Sequence, residues 1–173
     1  MFAAVQRSDV TDSGSYGTKV KIGHIHLATA SDGSIMRFAS LVERLDRLAI
    51  EQHILVSSTA LARRLQSCPY VTIGPVVRTP VMAYCLMPDV DLVHIHDDKS
   101  GQAGLLLTLT RSTPFVMTTP EERATSRNPL KYSMLRRAQS LISPSEGDAD
   151  EIIRIYRRTI DAWSELPQDA DCG

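Results

Sequence analysis

The sequence predicts an α/β domain, a parallel sheet of about six strands wound by helices on both faces, and three observations carry that expectation. Short apolar, β-branched runs alternate with helix-periodic stretches from residue 19 to residue 160. The run Val90-Asp-Leu-Val-His-Ile-His-Asp97 is mostly apolar and ends abruptly in His and Asp, after which a Ser-Gly turn opens a helical pattern. That is how a strand buried on both faces delivers polar side chains to a site. Finally, a chain of 173 residues can bury roughly 70% of its unfolded surface, so one domain forms a core without staples.

Residues 1–18, rich in Ser, Asp, Gly and Thr, are expected to form a flexible leader. The first strand spans 19–28 and gives way to Ser31-Asp-Gly-Ser34, a turn composition that also offers helix caps. A helix follows over 35–50, with Phe38, Leu41, Leu45 and Leu48 at three- and four-residue spacings facing the sheet. A second strand covers 53–56. A helix at 59–67 comes next, carrying Arg63 and Arg64 near its end, where they suit the helix dipole. The third strand is placed at 70–77 and a short helix at 80–86, closed off before Pro88. The run through His96 is strand four, with its helix over 101–110. Strand five is 114–119, followed by a helix over 130–139, strand six at 140–143 and a last helix over 148–160. In that last helix Ile152, Ile153, Ile155 and Tyr156 are core candidates.

Strand order 3-2-1-4-5-6 is expected for this alternation, a Rossmann-like arrangement with strands one and four side by side at the switch point. Ligands of such sheets bind beyond the carboxyl ends of the strands, here between the loop at 29–34 and the loop at 97–101.

Composition limits the function classes. Nineteen basic and twenty acidic residues give a net charge of −1, so no overall field draws the chain to nucleic acid. Cys68, Cys85 and Cys172 are odd in number and lack a Cys-x-x-Cys spacing, which points away from a disulfide framework or a cysteine zinc site. No apolar run approaches a bilayer span and no signal-peptide pattern opens the chain. A cytoplasmic location is expected, with peripheral contact at the inner face of the membrane as an option.

The turn with Asp32, Gly33 and Ser34 could cradle a phosphate or be a plain strand-to-helix turn; it is neither Gly-x-Gly-x-x-Gly nor a Walker loop. His24 and His26 alternate on strand one as His94 and His96 do on strand four, so neighbouring strands could bring the two pairs together as ligands for zinc or a similar ion. Core histidines satisfied by hydrogen bonds are the competing reading. Arg123, Arg127, Lys131, Arg136 and Arg137 form a basic cluster, either a solvated face or a patch for anionic lipid or a phosphorylated acceptor. Val81, Met82, Leu86 and Met87 are candidates for a self-association surface or for core. No Gly-x-Ser-x-Gly elbow is present.

Taken in order, the first strand with its Asp-Gly turn, Leu41-Val-Glu-Arg-Leu45, the strand-four motif ending at Asp97 with Gly101 behind it, Pro114-Phe-Val-Met-Thr-Thr119 and Ser140-Leu-Ile-Ser-Pro-Ser145 resemble the amino-terminal domain of GT-B glycosyltransferases of the family 4 type. The resemblance covers residues 19–160 and implies one half of a GT-B fold, with residues 161–173 a tail where a second domain would begin. It implies acceptor binding in this half and sugar transfer from a nucleotide-sugar bound by the other. A separate donor-binding partner or a homo-oligomer would be required, with no other cofactor. By carry-over Asp97 and His96 would be catalytic, while Asp32, Gly33, Ser34, Ser100, Gly101 and Thr119 would touch substrate. Two departures stand out: Asp32-Gly33 replaces a Gly-Gly pair, and Thr119-Pro120 stands where the family often has a His. The alternatives are a non-catalytic glycan- or partner-binding module and a small metal-dependent enzyme using the histidine pairs.

Overall fold

A computed structural model describes residues 20–28, 32–118, 129–143 and 149–165, with Asp32, Ser34 and residues 129–132 described for the backbone only. In chain order the elements are β1 (Lys21–His26), α1 (Asp32–Arg47), β2 (Glu51–Val56), α2 (Thr59–Leu65), β3 (Val71–Ile73) and α3 (Pro80–Leu86). They continue with β4 (Leu92–Ile95), α4 (Gly101–Arg111), β5 (Phe115–Thr118), α5 (Pro129–Arg137), β6 (Ser140–Ile142) and α6 (Ala149–Ser164). The strands pair in parallel in the order β3-β2-β1-β4-β5-β6, as the alternation predicts. The fold is a Rossmann-like doubly wound sheet.

Side chains alternate between the two faces of each strand, so a central strand must be apolar on both. On one face Ile25, Leu27, Leu55, Val93, Ile95, Phe115 and Met117 pack against Ala83 of α3, Ala103 and Leu107 of α4 and Leu135 of α5. On the other, Ile22, Ile54, Val56, Leu92 and Val116 meet Phe38, Val42 and Leu45 of α1, Leu61 and Leu65 of α2, and Ile152 and Tyr156 of α6. His24, His26, His94 and His96 share this second face, beneath α1 and α6.

Helix ends follow local chemistry. Thr79 caps α3 by accepting from the Met82 amide at 3.2 Å, with Pro80 in the first turn, where its missing N–H costs nothing. Ser58 caps α2 through the Leu61 amide at 3.3 Å. At the end of α1, Ala49 adopts φ 57°, and the Ile50 amide turns back to the Leu45 carbonyl at 3.1 Å. This stop falls before the expected end at residue 50 and leaves Leu48 48% exposed instead of facing the sheet. Val42 takes a core position in its stead. The helix also begins earlier than expected, because Asp32-Gly33-Ser34 winds into its first turn.

Other boundaries shift for equally local reasons. β2 starts at Glu51 because Gln52 pairs with Val71, while β3 is only three residues long and stops at Gly74 and Pro75. A Cβ on Gly74 would come within 2.5 Å of Leu55 Cδ2. α6 continues to Ser164, past the point expected to begin a tail, and Trp163 near its end donates through Nε1 to the Ser112 carbonyl at 2.7 Å. Met87 is core at 2% exposure, whereas Val81, Met82 and Leu86 lie at the surface. Among the described residues, no helix is long and apolar enough to cross a membrane. The expected leader at 1–18 lies outside the described residues, as does the end of the chain after residue 165.

α4 lies tight on the sheet at Gly104 and tight on α5 at Gly101, because neither residue carries a side chain. A Cβ on Gly104 would approach Ile95 Cγ1 and the Phe115 ring at 3.0 Å, and one on Gly101 would reach Met134 Sδ at 2.5 Å. Met134 can bend away; the Phe115 ring, fully buried, has nowhere to go. Gly104→Val should therefore cost about 1–3 kcal/mol, although valine is the better helix former. Urea unfolding checks this: a lowered midpoint with unchanged slope is expected, and an equal or raised midpoint would refute the packing account.

Candidate functional site

β1 and β4 are neighbours in register, with His24 opposite His94. Both histidine pairs therefore fall on one face at the carboxyl ends of the two strands, where sequence periodicity expected them to meet. The ring centroids of His94 and His96 are 3.9 Å apart, and those of His24 and His96 are 5.3 Å apart. Phe38 of α1 stands edge-on over His96, with centroids 4.6 Å apart, and roofs the cluster. His24, His26 and His94 are buried, while His96 keeps partial exposure at the end of β4.

The hydrogen bonds form a short chain. His24 Nδ1 lies 3.0 Å from His96 Nε2. His94 contacts the Tyr156 hydroxyl through Nδ1 at 2.6 Å and the Thr118 hydroxyl through Nε2 at 2.7 Å. His24 Nε2 and Gln52 Oε1 are buried without a well-formed bond, yet Gln52 sits close enough to offset part of the effect of burial on His24. The two groups are complementary, an N–H donor and a carbonyl acceptor. In a dry core an N–H and a carbonyl that both lack a partner gain by meeting, which favours the His24 proton on Nε2. His24 then carries its proton on Nε2 and presents a lone pair at Nδ1.

Burial dominates the electrostatics. It lowers the His24 pKa to about 3, with only partial relief from Gln52. His94 and His96 fall well below the usual histidine value for the same reason, and each is lowered further by its imidazole neighbours. His26 is also lowered by burial, with the Asp97 charge acting in the opposite direction. Burial pushes the Tyr156 phenol well up. At neutral pH the cluster is therefore a set of uncharged imidazoles. Such groups accept hydrogen bonds and ligate metals well. They are poor bases, since a catalytic base works best with a pKa near the working pH. His96, expected to be catalytic, is better suited to holding a hydroxyl or an ion than to removing a proton.

Asp97 is held at the junction of β1 and the turn after β4. Its Oδ2 accepts from the Leu27 amide at 2.7 Å and from the Ser100 hydroxyl at 2.5 Å, and its Oδ1 accepts from the Ser100 amide at 2.9 Å. The Leu27 amide also reaches Ser100 Oγ at 3.1 Å. The carboxylate thus staples the end of β1 to the turn after β4, with both oxygens engaged. Ser100, expected to touch substrate, is fully buried in this staple and is not free to cap α4. Gly101, expected in the same role, is buried under Met134. Gly33 is exposed, and no described atom lies within 4 Å of where its Cβ would stand.

Asp32 and Ser34 lie in the first turn of α1, beside the crevice, with their side chains outside the described residues. Thr119, Arg123 and Arg127 lie outside them altogether, and Lys131 is described for its backbone only. Arg136 and Arg137 sit exposed in the last turn of α5. Sequence reasoning missed Gln52, because β2 was placed to begin after it, and read Phe38 and Tyr156 only as sheet packing. The available signal was parity: Gln52 shares the alternation of Ile54 and Val56, on the histidine face.

No protein-family model and no curated protein matches the chain. A solved structure described as the molybdenum cofactor binding protein from the phototrophic bacterium Rippkaea orientalis is similar in fold, with a TM-score of 0.50 at 12% identity. The likeness covers 80% of this chain and 98% of that one. It bears on the fold alone.

Two expectations follow. A histidine held neutral in the folded state but free to protonate when unfolded destabilises the fold as pH drops below about 6.5, because the unfolded state binds more protons. Stability should thus fall between pH 6.5 and pH 5 with a slope approaching about 1.4 kcal/mol per pH unit for each buried imidazole. Urea midpoints across that range test it, and a flat profile would contradict the buried, uncharged cluster. Asp97→Ala should cost about 1–3 kcal/mol by stranding the Leu27 amide and the Ser100 hydroxyl; an unchanged urea midpoint would return Asp97 to the list of free functional carboxylates.

Proposed function

We propose that this domain is the acceptor-side half of a family 4-like glycosyltransferase. It binds a glycan or lipid-linked sugar acceptor in the crevice at the carboxyl ends of β1 and β4, and relies on a donor-binding partner or domain for the nucleotide-sugar. The observation that carries this reading is the placement of the strand-four motif, ending in His96 and Asp97, beside β1 at the switch point of the sheet. The ordered resemblance supplies the substrate class, since fold alone does not fix function. His96, the partly exposed imidazole, offers a neutral acceptor for a sugar hydroxyl, and the Asp97 staple holds the crevice's two loops in register.

Chemistry would then reside with the partner. The engagement of both Asp97 oxygens and the Thr119-Pro120 pair in place of a His favour a domain that presents acceptor over one that catalyses transfer alone. Cytoplasmic residence, and contact of the 123–137 basic segment with the inner face of a membrane, belong to the same proposal. So does the form of the donor-binding unit, whether a further domain, a separate chain or a second copy.

Amide chemical-shift mapping with short oligosaccharides and lipid-phosphate-linked sugars tests the reading. Saturable shifts confined to Leu27, His96 and the 97–101 turn are expected, with no shift from nucleotide-sugars alone. Saturable binding of a nucleotide-sugar without an acceptor, or acceptor shifts only at a distant surface, would overturn it.

A further inference from the structure

We propose that His24, His94 and His96 form a binding site for one divalent transition-metal ion of the zinc class, set into the sheet face at the head of the crevice. The proposal is independent of the acceptor-binding reading, which needs no metal.

The geometry comes first. One ring nitrogen from each of the three imidazoles can be chosen so that all lie within 4.8 Å of one another. A tetrahedral zinc with nitrogen bonds of about 2.0–2.1 Å holds its ligands about 3.4 Å apart. His24 Nδ1 and His96 Nε2, at 3.0 Å, bracket that separation from the near side. Modest ring rotations suffice, and β1 and β4, paired in register, fix the backbones from which those rotations start.

The surroundings supply the second argument. A metal-bound histidine commonly donates its other ring N–H to an acceptor that fixes its tautomer and orientation. His24 offers the parts of that arrangement: its Nε2 and the Gln52 carbonyl are both buried without a formed bond, and a proton on Nε2 leaves Nδ1 as the lone pair toward the other two rings. Gln52 is itself held, donating through Nε2 to the Val42 carbonyl at 3.1 Å. His94 is flanked by the Tyr156 and Thr118 hydroxyls, so one nitrogen can turn to the ion while the other keeps a hydroxyl partner. The imidazoles are already uncharged, so no proton has to leave before the ion binds. Three protein ligands leave a fourth position open. Partial exposure at His96 connects the site to the crevice.

A core in which His96 Nε2–H merely donates to His24 Nδ1 is the competing account, and metal binding separates the two. The full chain, stripped with a chelator and dialysed against zinc, should retain one zinc per chain, and zinc should raise the melting temperature in a saturable way. Cobalt(II) in its place should give the intense visible absorption of a tetrahedral site. His96→Asn, altering the least buried ligand, should abolish both signals while the metal-free protein still unfolds cooperatively. Gln52→Leu should weaken zinc about 10- to 100-fold, because it removes the group that orients His24. If His96→Asn does not fold, the Gln52→Leu affinity decides. Absence of stoichiometric zinc and of any melting shift, or zinc affinity unchanged in the variant that decides, would overturn the proposal.

Discussion

Four imidazoles lie uncharged on one face of the sheet where β1 and β4 run side by side, and much else in the domain answers to that burial. Histidine is costly to bury charged, so the sheet holds these rings only in their neutral form. A neutral ring needs one donor and one acceptor partner. The partners come from several directions: Thr118 from β5, Tyr156 from α6 and the rings themselves, with Gln52 of β2 buried beside His24. Phe38 from α1 closes the roof with an edge-to-face contact. Six elements thus converge on one polar knot inside an apolar core, and such a network specifies the register of β1 against β4 more sharply than aliphatic packing would.

Beside the knot, the Asp97 staple does for the loops what the histidines do for the strands. One carboxylate accepts from the Leu27 amide and from both the amide and the hydroxyl of Ser100. Backbone groups that leave a parallel sheet at its carboxyl end would otherwise be stranded. The result ties the end of β1 to the turn after β4, with both Asp97 oxygens engaged and His96 partly exposed beside them. That arrangement suits a site that positions a neutral polar group or an ion, and it ill suits acid–base chemistry at neutral pH.

The sheet was legible in the sequence because alternating β-branched runs and helix-periodic stretches admit few topologies. The strand order followed from that alternation, and the meeting of the two His-x-His pairs followed from strand parity once β1 and β4 were neighbours. Element ends were less legible. α1 stops at a left-handed Ala49, a residue with no glycine to announce it, and α6 runs on to Ser164 because Trp163 docks on Ser112. The roles within the site were least legible. Nothing in the order of residues distinguishes an Asp97 that faces substrate from one consumed by the amide of a residue seventy positions earlier. Gln52, on a third strand, could be tied to His24 only after the sheet was assembled.

The central claim is that the histidine cluster is neutral, with His24 protonated on Nε2. Long-range nitrogen–proton correlation spectra of the metal-free, imidazole-labelled protein at neutral pH test it most directly. The account predicts neutral rings for His24, His94 and His96, an Nε2–H tautomer for His24, and no titration of these rings near the usual histidine value of about 6.5. An imidazolium pattern for any of the three at neutral pH, or an Nδ1–H tautomer at His24, would contradict it.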